Sequence, residues 1–319
     1  MLSGWIILDK PIGLGSTQAV SAVKRNLREA GLSKGRKSGI KVGHGGTLDP
    51  LASGVLPIAL GEATKLTGRM LDADKAYDFT VRFGEETDTL DLEGAVIASS
   101  PVRPTHAEVL AVLPQFTGPL AQVPPAYSAL KVDGERAYDL ARAGHVVELA
   151  SRDVTIHALD LLGSEPVGVQ DGADQAGAAR LAEVTLRAAV SKGTYIRSLA
   201  RDIAQALGTC GTVTMLRRTK AGPFALGHAI TLDKLNEIGK GAPLEHALLP
   251  LEAGLDDIPA IDLDPEQARA VRQGRVLTGL PLRDGLHWAR LGNTPVALLE
   301  LSGGDARVSR GFNLADVAE

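Results

Sequence analysis

The segment at residues 75–100 places strong limits on the fold of this chain. Every second side chain in its first part is apolar, the pattern of a strand with one buried face. These side chains are Tyr77, Phe79, Val81 and Phe83. The Leu-Glu-Gly-Ala sequence at 92–95 then predicts a turn that leads into a partner strand at 95–98. The segment therefore predicts an antiparallel meander.

Other parts of the chain mix strands and helices without a regular strand–helix–strand alternation. Apolar runs predict strands at 5–8, 127–132, 181–190 and 213–216. Helical periodicity predicts a helix capped by Ser16 or Thr17, and further helices at 105–112, 135–143 and 195–207. This arrangement favours an α+β fold over a doubly wound parallel sheet.

Two further segments bear on domain organisation. After Leu251 the sequence predicts one short helix followed by several short strands, which indicates a small β-rich C-terminal domain. We therefore expect a catalytic domain at 1–248 and an appended domain at 249–319. The stretch from Gly163 to Ala179 is rich in Gly, Ala, Asp and Gln, and we expect a surface excursion between two strands.

Composition excludes several classes of protein. The 319 residues are 44% hydrophobic and 23% charged, which is ordinary for a globular chain and excludes general disorder. No apolar run approaches the ~20 residues that span a bilayer, so no membrane association is expected. A single cysteine, Cys210, rules out an internal disulfide and fits a reducing cytoplasm. The sequence lacks phosphate-loop and zinc-protease motifs, so we expect no cofactor and no metal.

Charge is distributed unevenly along the chain, although the net charge is only -4. Residues 1–70 carry ten basic and four acidic side chains, and residues 190–223 carry six basic and one acidic. Two basic blocks in an otherwise acidic chain indicate a surface that binds a polyanion if the blocks meet in space, and otherwise two solvated faces.

The glycine-rich stretch that leads to Asp49 is the strongest candidate for a functional loop. Three of the four residues at 43–46 are glycines, which allow positive φ and the close backbone approach that a loop pressed against a ligand needs. Asp49 has a structural alternative, because Asp before Pro50 is a common start of a helix. The adjacent His44 and the basic residues of 34–41 favour a functional role.

Four motifs resemble those of the TruB family of bacterial tRNA pseudouridine-55 synthases. They follow one another in the family's order between Trp5 and about Pro223. The motifs are GHGGTLDPLASGVLPIALGEATK at 43–65, DKAY at 74–77, SKGTYIR at 191–197 and LRRT at 216–219. The resemblance implies a mixed, largely antiparallel sheet with flanking helices, and, more weakly, a C-terminal domain of the PUA-like RNA-binding type.

The resemblance also implies an activity. The family isomerises a uridine in the T-loop of tRNA to pseudouridine without cofactor or metal. Such chemistry needs one carboxylate, and Asp49 stands at the family's position for it. Whether Asp49 attacks C1', attacks C6 or removes a ribose proton is left open by the sequence. Arg197 matches the family's cationic partner for this carboxylate; the alternative is a surface arginine on a helix.

The resemblance further implies that the target base is flipped out of the RNA. His44, Tyr77, Tyr195 and Leu216 match the family's positions for handling the extruded base and the loop it leaves. Tyr77 would stack on the uracil and handle a proton late in the reaction. Each of the four also has a packing alternative, weakest for His44, since its glycine loop offers no apolar face.

The expected partner is the T-arm of tRNA, with no obligatory protein partner. We expect the loop around Lys34, Arg36, Lys37 and Lys41 to be mobile and to contact RNA phosphates. Lys65 is a further candidate for a backbone contact. Two alternatives are a non-catalytic RNA-binding or RNA-folding protein and a guide-RNA-dependent pseudouridine synthase. A pure binder gains nothing from a carboxylate that faces RNA, which weighs against the first of these.

Overall fold

The computed structural model of the chain describes residues 2–33, 39–132, 134–167 and 179–314. Its strands are β1 (Gly4–Lys10), β2 (Val42–His44), β3 (Ala52–Leu60), β4 (Lys75–Phe83), β5 (Glu85–Thr87), β6 (Val96–Ser99), β7 (Gly118–Gln122), β8 (Lys131–Val132), β9 (Glu135–Arg136), β10 (Arg152–Pro166), β11 (Leu181–Val190), β12 (Gly211–Ala221), β13 (Phe224–Ala225), β14 (Leu248–Leu249), β15 (Ala260–Asp262), β16 (Gly285–Leu291), β17 (Thr294–Ser302) and β18 (Asp305–Gly311). Its helices are α1 (Ser16–Glu29), α2 (Thr67–Asp72), α3 (His106–Val112), α4 (Ala137–Arg142), α5 (Ile196–Ala206), α6 (Leu232–Gly239) and α7 (Pro265–Arg272).

The chain forms two structural units, each built from more than one stretch of sequence. The first unit contains residues 1–49, 54–71 and 221–319, and the second contains residues 50–53 and 72–220. The chain passes from the first unit into the second immediately after Asp49. The predicted boundary between residues 248 and 249 falls inside the first unit, and the proposed division into two domains stays a prediction.

The first unit has a sheet of order β14-β1-β3, with β2 also paired to β3. All of these pairings are antiparallel. Trp5 of β1 is fully buried and its indole N–H donates to the carbonyl of Leu251 over 3.1 Å. Gly254 lies so close to this ring that an added Cβ would stand 2.7 Å from it. The N-terminal strand and the chain near residue 250 therefore share one core.

Helix α1 begins one residue earlier than a Ser16 cap would require. Gly15 is the N-cap residue, and its backbone N–H donates to the Gln18 side chain over 2.8 Å. The prediction that Ser16 or Thr17 caps this helix is wrong, because Ser16 is its first residue and its hydroxyl bonds elsewhere. The buried face includes the predicted Val20, Val23 and Leu27.

A four-stranded sheet of order β15-β16-β17-β18 forms the C-terminal part of the first unit. Only the β15–β16 pairing is parallel. Helix α7 covers this sheet, and Ala268 and Val271 of the helix pack with Leu299 and Ala306. The predicted C-terminal β domain is therefore confirmed.

The second unit has a sheet of order β12-β4-β11-β10-β7. Strands β4, β11, β10 and β7 are antiparallel neighbours, with Phe79 of β4 opposite Leu186 of β11. Helix α5 buries Leu199 and Ile203 against this sheet. The predicted α+β fold with a largely antiparallel sheet and flanking helices is confirmed.

Several predicted strands differ in extent or partner. β6 pairs with β5 instead of the predicted partner β4. The chain turns at Gly84, whose φ is +105°, so that β5 is a separate strand from β4 and is the one that reaches β6. β10 continues through Pro166, opposite Leu181, so residues 163–166 are strand and not excursion. Residues 168–178 of the predicted excursion lie outside the described residues. Within the described ranges no helix is long and apolar enough to cross a membrane.

Candidate active site

The loop that carries Asp49 follows β2 in the first unit. Gly45 is buried against α2, where an added Cβ would lie 2.6 Å from the Cβ of Met70. Gly46 has φ of +130°, a backbone conformation that favours glycine. Close packing within the unit therefore requires Gly45, and backbone conformation requires Gly46, whereas the sequence pattern had suggested close approach to a ligand.

Asp49 is half-buried and does not begin a helix. Pro50 and Leu51 form a turn, and β3 starts at Ala52. The structural alternative, in which Asp49 caps a helix with Pro50 in its first turn, is therefore wrong. The residue before Asp49 is anchored: the Leu48 N–H donates to Ser16 Oγ over 2.8 Å, and that hydroxyl donates to the Leu48 carbonyl over 3.1 Å.

Arg197 lies in the first turn of α5 in the second unit and is almost fully buried. One arm of its guanidinium donates to the carbonyl of Thr89 over 2.8 Å, and the other donates to the carbonyl of Tyr127 over 3.0 Å. The Asp91 carboxylate lies 3.4 Å from the same group. The alternative of a surface arginine is therefore wrong, and Arg197 is a rigidly held cation.

The turn at 87–91, here named the Asp91 turn, is built around that carboxylate. Thr89 Oγ1 donates to Asp91 Oδ1 over 2.6 Å, and the Glu93 N–H donates to the same oxygen over 3.0 Å. Leu90 has φ of +62°, which is strained for a branched side chain. Tertiary contacts must hold the turn in this form, which orients the Thr89 carbonyl and Asp91 toward Arg197.

Sequence reasoning missed Asp91, and it placed Tyr127 in a strand without a role at the site. The run TDTLD at 87–91 was a signal, since short hydroxyl and carboxylate side chains next to a predicted turn commonly fold back on their own backbone. Residues 127–130 are not strand as predicted: the Tyr127 carbonyl accepts from Arg197, and the Ser128 and Leu130 carbonyls accept from backbone N–H groups at 137–138. The Tyr127 hydroxyl donates to Asp88 Oδ2 over 2.9 Å, and this hydrogen bond raises the pKa of Tyr127.

Tyr77 and Leu216 lie at the edge of the second unit's core. Both are half-buried and pack against the cluster that contains Phe79 and Val81, which are fully buried. Tyr77 thus differs from the next two side chains on its own strand face. Tyr195 is also half-buried; it is the N-cap residue of α5, and its N–H donates to Gln122 Oε1 over 2.7 Å. All three retain exposed surface that a planar base could contact.

A group of basic side chains accompanies these residues in the second unit. Arg218 is fully buried, and Lys75 is buried at the start of β4. Burial of the ammonium and the nearby Arg218 charge lower the pKa of Lys75 to about 8. Lys192 is exposed and pairs with Asp72 over 2.9 Å. The second basic block therefore contains buried cations, Arg197 and Arg218, as well as the solvated Lys192, and Lys75 adds a buried cation from outside the block.

The remaining predicted residues that the structure describes, Lys41, His44 and Lys65, lie in the first unit. His44 ends β2 opposite Ile58 and is half-buried, while Lys41 is exposed. Lys65 pairs with Glu62 over 2.7 Å and donates to the carbonyl of Gly311 over 2.8 Å, so its ammonium joins two parts of the unit. Its predicted contact with RNA stays a prediction. Lys34, Arg36 and Lys37 lie outside the described residues.

Comparison with known proteins identifies close relatives. The family model described as TruB family pseudouridylate synthase (N terminal domain) matches residues 34–196, and the tRNA pseudouridylate synthase B C-terminal domain matches residues 197–256. A tRNA pseudouridine synthase B of Novosphingobium aromaticivorans is 70% identical and covers 100% of both chains. One of Zymomonas mobilis is 56% identical, covering 98% of this chain and 96% of the relative.

A solved structure is similar across nearly the whole chain. It is described as an H/ACA ribonucleoprotein bound to a substrate RNA containing 2'-deoxyuridine, and its matching chain is 25% identical. The TM-score is 0.70, and the match covers 98% of this chain and 86% of that one.

Proposed function

Because this chain belongs to the TruB family of pseudouridylate synthases, we propose that it isomerises uridine 55 in the T-loop of tRNA to pseudouridine. The observation that carries the proposal is the 70% identity to a tRNA pseudouridine synthase B over the full length of both proteins. The half-buried carboxylate on an anchored glycine loop and the buried guanidinium in α5 support the same activity.

The reaction rearranges one nucleotide and consumes nothing else. The bond between N1 of uracil and C1' of the ribose breaks, the base turns, and C5 bonds to C1'. The hydrogen on C5 leaves as a proton, and N1 gains one, so the product is an isomer of the substrate. The chemistry requires a group that can bond to the nucleotide or take a proton from it and is then regenerated.

Asp49 is that group in our proposal. Three routes suit a single carboxylate: attack on C1', attack on C6, and removal of a ribose proton. Each route requires the ionised form, and a cation at its side favours ionisation. Arg197 is the proposed cation. Its side chain is held by two backbone carbonyls and by Asp91, so it is already ordered before substrate binds.

The other predicted residues receive the base. We assign stacking on the flipped uracil to Tyr77, whose ring lies at the edge of the core with part of its surface exposed. Tyr195 and Leu216 line the pocket. His44, at the end of β2, displaces bases of the RNA loop as the nucleotide is extruded.

The chain acts alone in this proposal, without guide RNA or protein partner. The similar solved chain belongs to a ribonucleoprotein, so the guide-dependent mode is the second candidate. The test is a T-arm hairpin RNA carrying tritium at C5 of its uridines, because formation of the C5–C1' bond releases that tritium. We expect release by the purified protein alone. Release that requires added RNA or protein would support the second candidate.

Asp49→Asn is the matched variant in that assay. The side chain keeps its size and loses its charge, so release should stop while affinity for the hairpin stays within about tenfold. If the variant retains a tenth of the parent rate or more, Asp49 is not the reacting group. Binding without any tritium release by the parent protein would leave the RNA-binding alternative.

A further inference from the structure

Ser16 and Leu48 are joined by a pair of hydrogen bonds across 32 residues of sequence. The Leu48 N–H donates to Ser16 Oγ over 2.8 Å, and Ser16 Oγ donates to the Leu48 carbonyl over 3.1 Å. Both residues are buried, at 5% and 4% exposure. One hydroxyl therefore satisfies the donor and the acceptor of a residue that lies in neither a helix nor a strand.

These bonds act directly on the peptide that precedes Asp49. The carbonyl of Leu48, the N–H of Asp49 and the Cα of Asp49 belong to one planar group. A hydrogen bond that holds the Leu48 oxygen therefore limits rotation of this planar group, and with it movement of the Asp49 Cα. The second bond, to the Leu48 N–H, fixes the other side of the same residue.

Ser16 is itself fixed by its place in the fold. It is the first residue of the 14-residue helix α1. The ammonium of Lys10 donates to the carbonyls of Pro11 and Leu14 and so holds the turn that enters the helix. Near the other end of the helix, Asn26 donates to Asn236 of α6 over 3.1 Å. The hydroxyl thus extends from a rigid element to a loop without regular secondary structure.

We propose that Ser16 is a positioning residue for Asp49, a role that rests on the proposed function. The hydroxyl holds the Leu48–Asp49 peptide so that the carboxylate meets the substrate in one orientation. Loss of the hydroxyl leaves a buried N–H without its acceptor and allows the loop to shift. A shift of about 1 Å at a reacting group is enough to lower a rate by about a hundredfold.

The test compares Ser16→Ala with Ser3→Ala on the tritium-labelled hairpin. Ser3 is the matched control, because its hydroxyl also accepts a distant backbone N–H, that of Glu62 over 3.1 Å, in the same unit. We expect Ser16→Ala to lower kcat by about 10- to 100-fold with KM within about threefold, and Ser3→Ala to keep kcat within about threefold. Parent kcat in Ser16→Ala, or an equal loss in Ser3→Ala, would overturn the proposal.

Two conservative variants keep the test valid if Ser16→Ala does not fold. Ser16→Thr retains the hydroxyl, and Ser16→Cys replaces it with a weak donor and acceptor. The expected order of kcat is parent and Ser16→Thr first, then Ser16→Cys. A Ser16→Cys protein as active as the parent would contradict the role.

Hydrogen exchange separates this inference from the proposed function. The Leu48 amide should exchange at least tenfold faster in Ser16→Cys than in the parent, while the Glu62 amide exchanges at an unchanged rate. Failure of the parent protein to release tritium would overturn the proposed function, and the exchange data would still report the hydrogen bond. If the parent releases tritium but the Leu48 amide exchanges at the same rate in Ser16→Cys as in the parent, the inference is overturned while the proposed function stands.

Discussion

Arg197 and Asp91 form a buried ion pair in the second unit, with 3.4 Å between guanidinium and carboxylate. Both side chains are at most 10% exposed. Removing one member of such a pair leaves an uncompensated buried charge, which is strongly destabilising. The stability of the second unit therefore depends on Arg197, the same cation that we propose as the partner of Asp49.

Asp91→Asn should lower both stability and activity. The amide cannot balance the Arg197 charge, and loss of a buried pair commonly costs about 3 kcal/mol or more. Urea unfolding and the tritium-release rate measure the two effects. The control is Asp262→Asn, which breaks the exposed pair with Arg290 and should leave both measurements close to the parent. Equal effects of the two substitutions would contradict a special role for Asp91.

Substitutions of Arg197 should follow the geometry of its guanidinium. Lysine keeps the charge but cannot donate to the Thr89 and Tyr127 carbonyls in the same forked arrangement. We expect Arg197→Lys to lose activity and Arg197→Ala to lose considerably more. The pH dependence of the single-turnover rate is the accompanying measurement. Near-parent turnover and an unchanged pH profile in Arg197→Ala would show that Arg197 does not hold Asp49 ionised.

Lys75 should make stability depend on pH in the alkaline range. Its pKa is about 8 in the folded protein and close to the ordinary 10.5 when unfolded. The unfolded chain therefore binds more protons between these values, and the contribution of Lys75 to stability rises as pH increases from 8 to 10.5. In urea unfolding, the free energy of unfolding of the parent should increase relative to that of Lys75→Met over this pH range. A constant difference between the two proteins would contradict the shifted pKa.

The basic loop should bind RNA through its phosphates. Neutralising Lys34, Arg36, Lys37 and Lys41 together should weaken RNA binding and reduce the slope of log affinity against log salt by about one unit for each phosphate that the loop no longer neutralises. Filter binding at several salt concentrations measures the slope. An unchanged slope in the quadruple alanine variant would remove this loop from the RNA interface.

Local patterns predicted much of the fold. The alternation from Tyr77 to Phe83 predicted a buried strand, and the periodicity of 195–207 predicted α5, because both patterns arise from burial of one face. The prediction that β6 pairs with β4 was wrong, since strand pairing is decided by contacts between distant segments. Ser16 was assigned to a helix cap, a local role, although its hydroxyl bonds to Leu48.

The candidate site could be predicted only where motifs carried it. Asp49 and Arg197 lie in recognisable sequence, whereas the carbonyl of Thr89 meets Arg197 across 108 residues. No local pattern encodes such a contact. The positive φ of Leu90 could not be predicted from the sequence either, because leucine rarely adopts it and the conformation depends on the surrounding structure.

Mapping pseudouridine at single-nucleotide resolution tests the central claim most directly. The purified protein is incubated with unmodified tRNA, and Asp49→Asn is treated in parallel. We predict a single new pseudouridine, at position 55 in the T-loop, with the parent protein and none with the variant. No pseudouridine with the parent, modification at other positions only, or equal modification by Asp49→Asn would contradict the account.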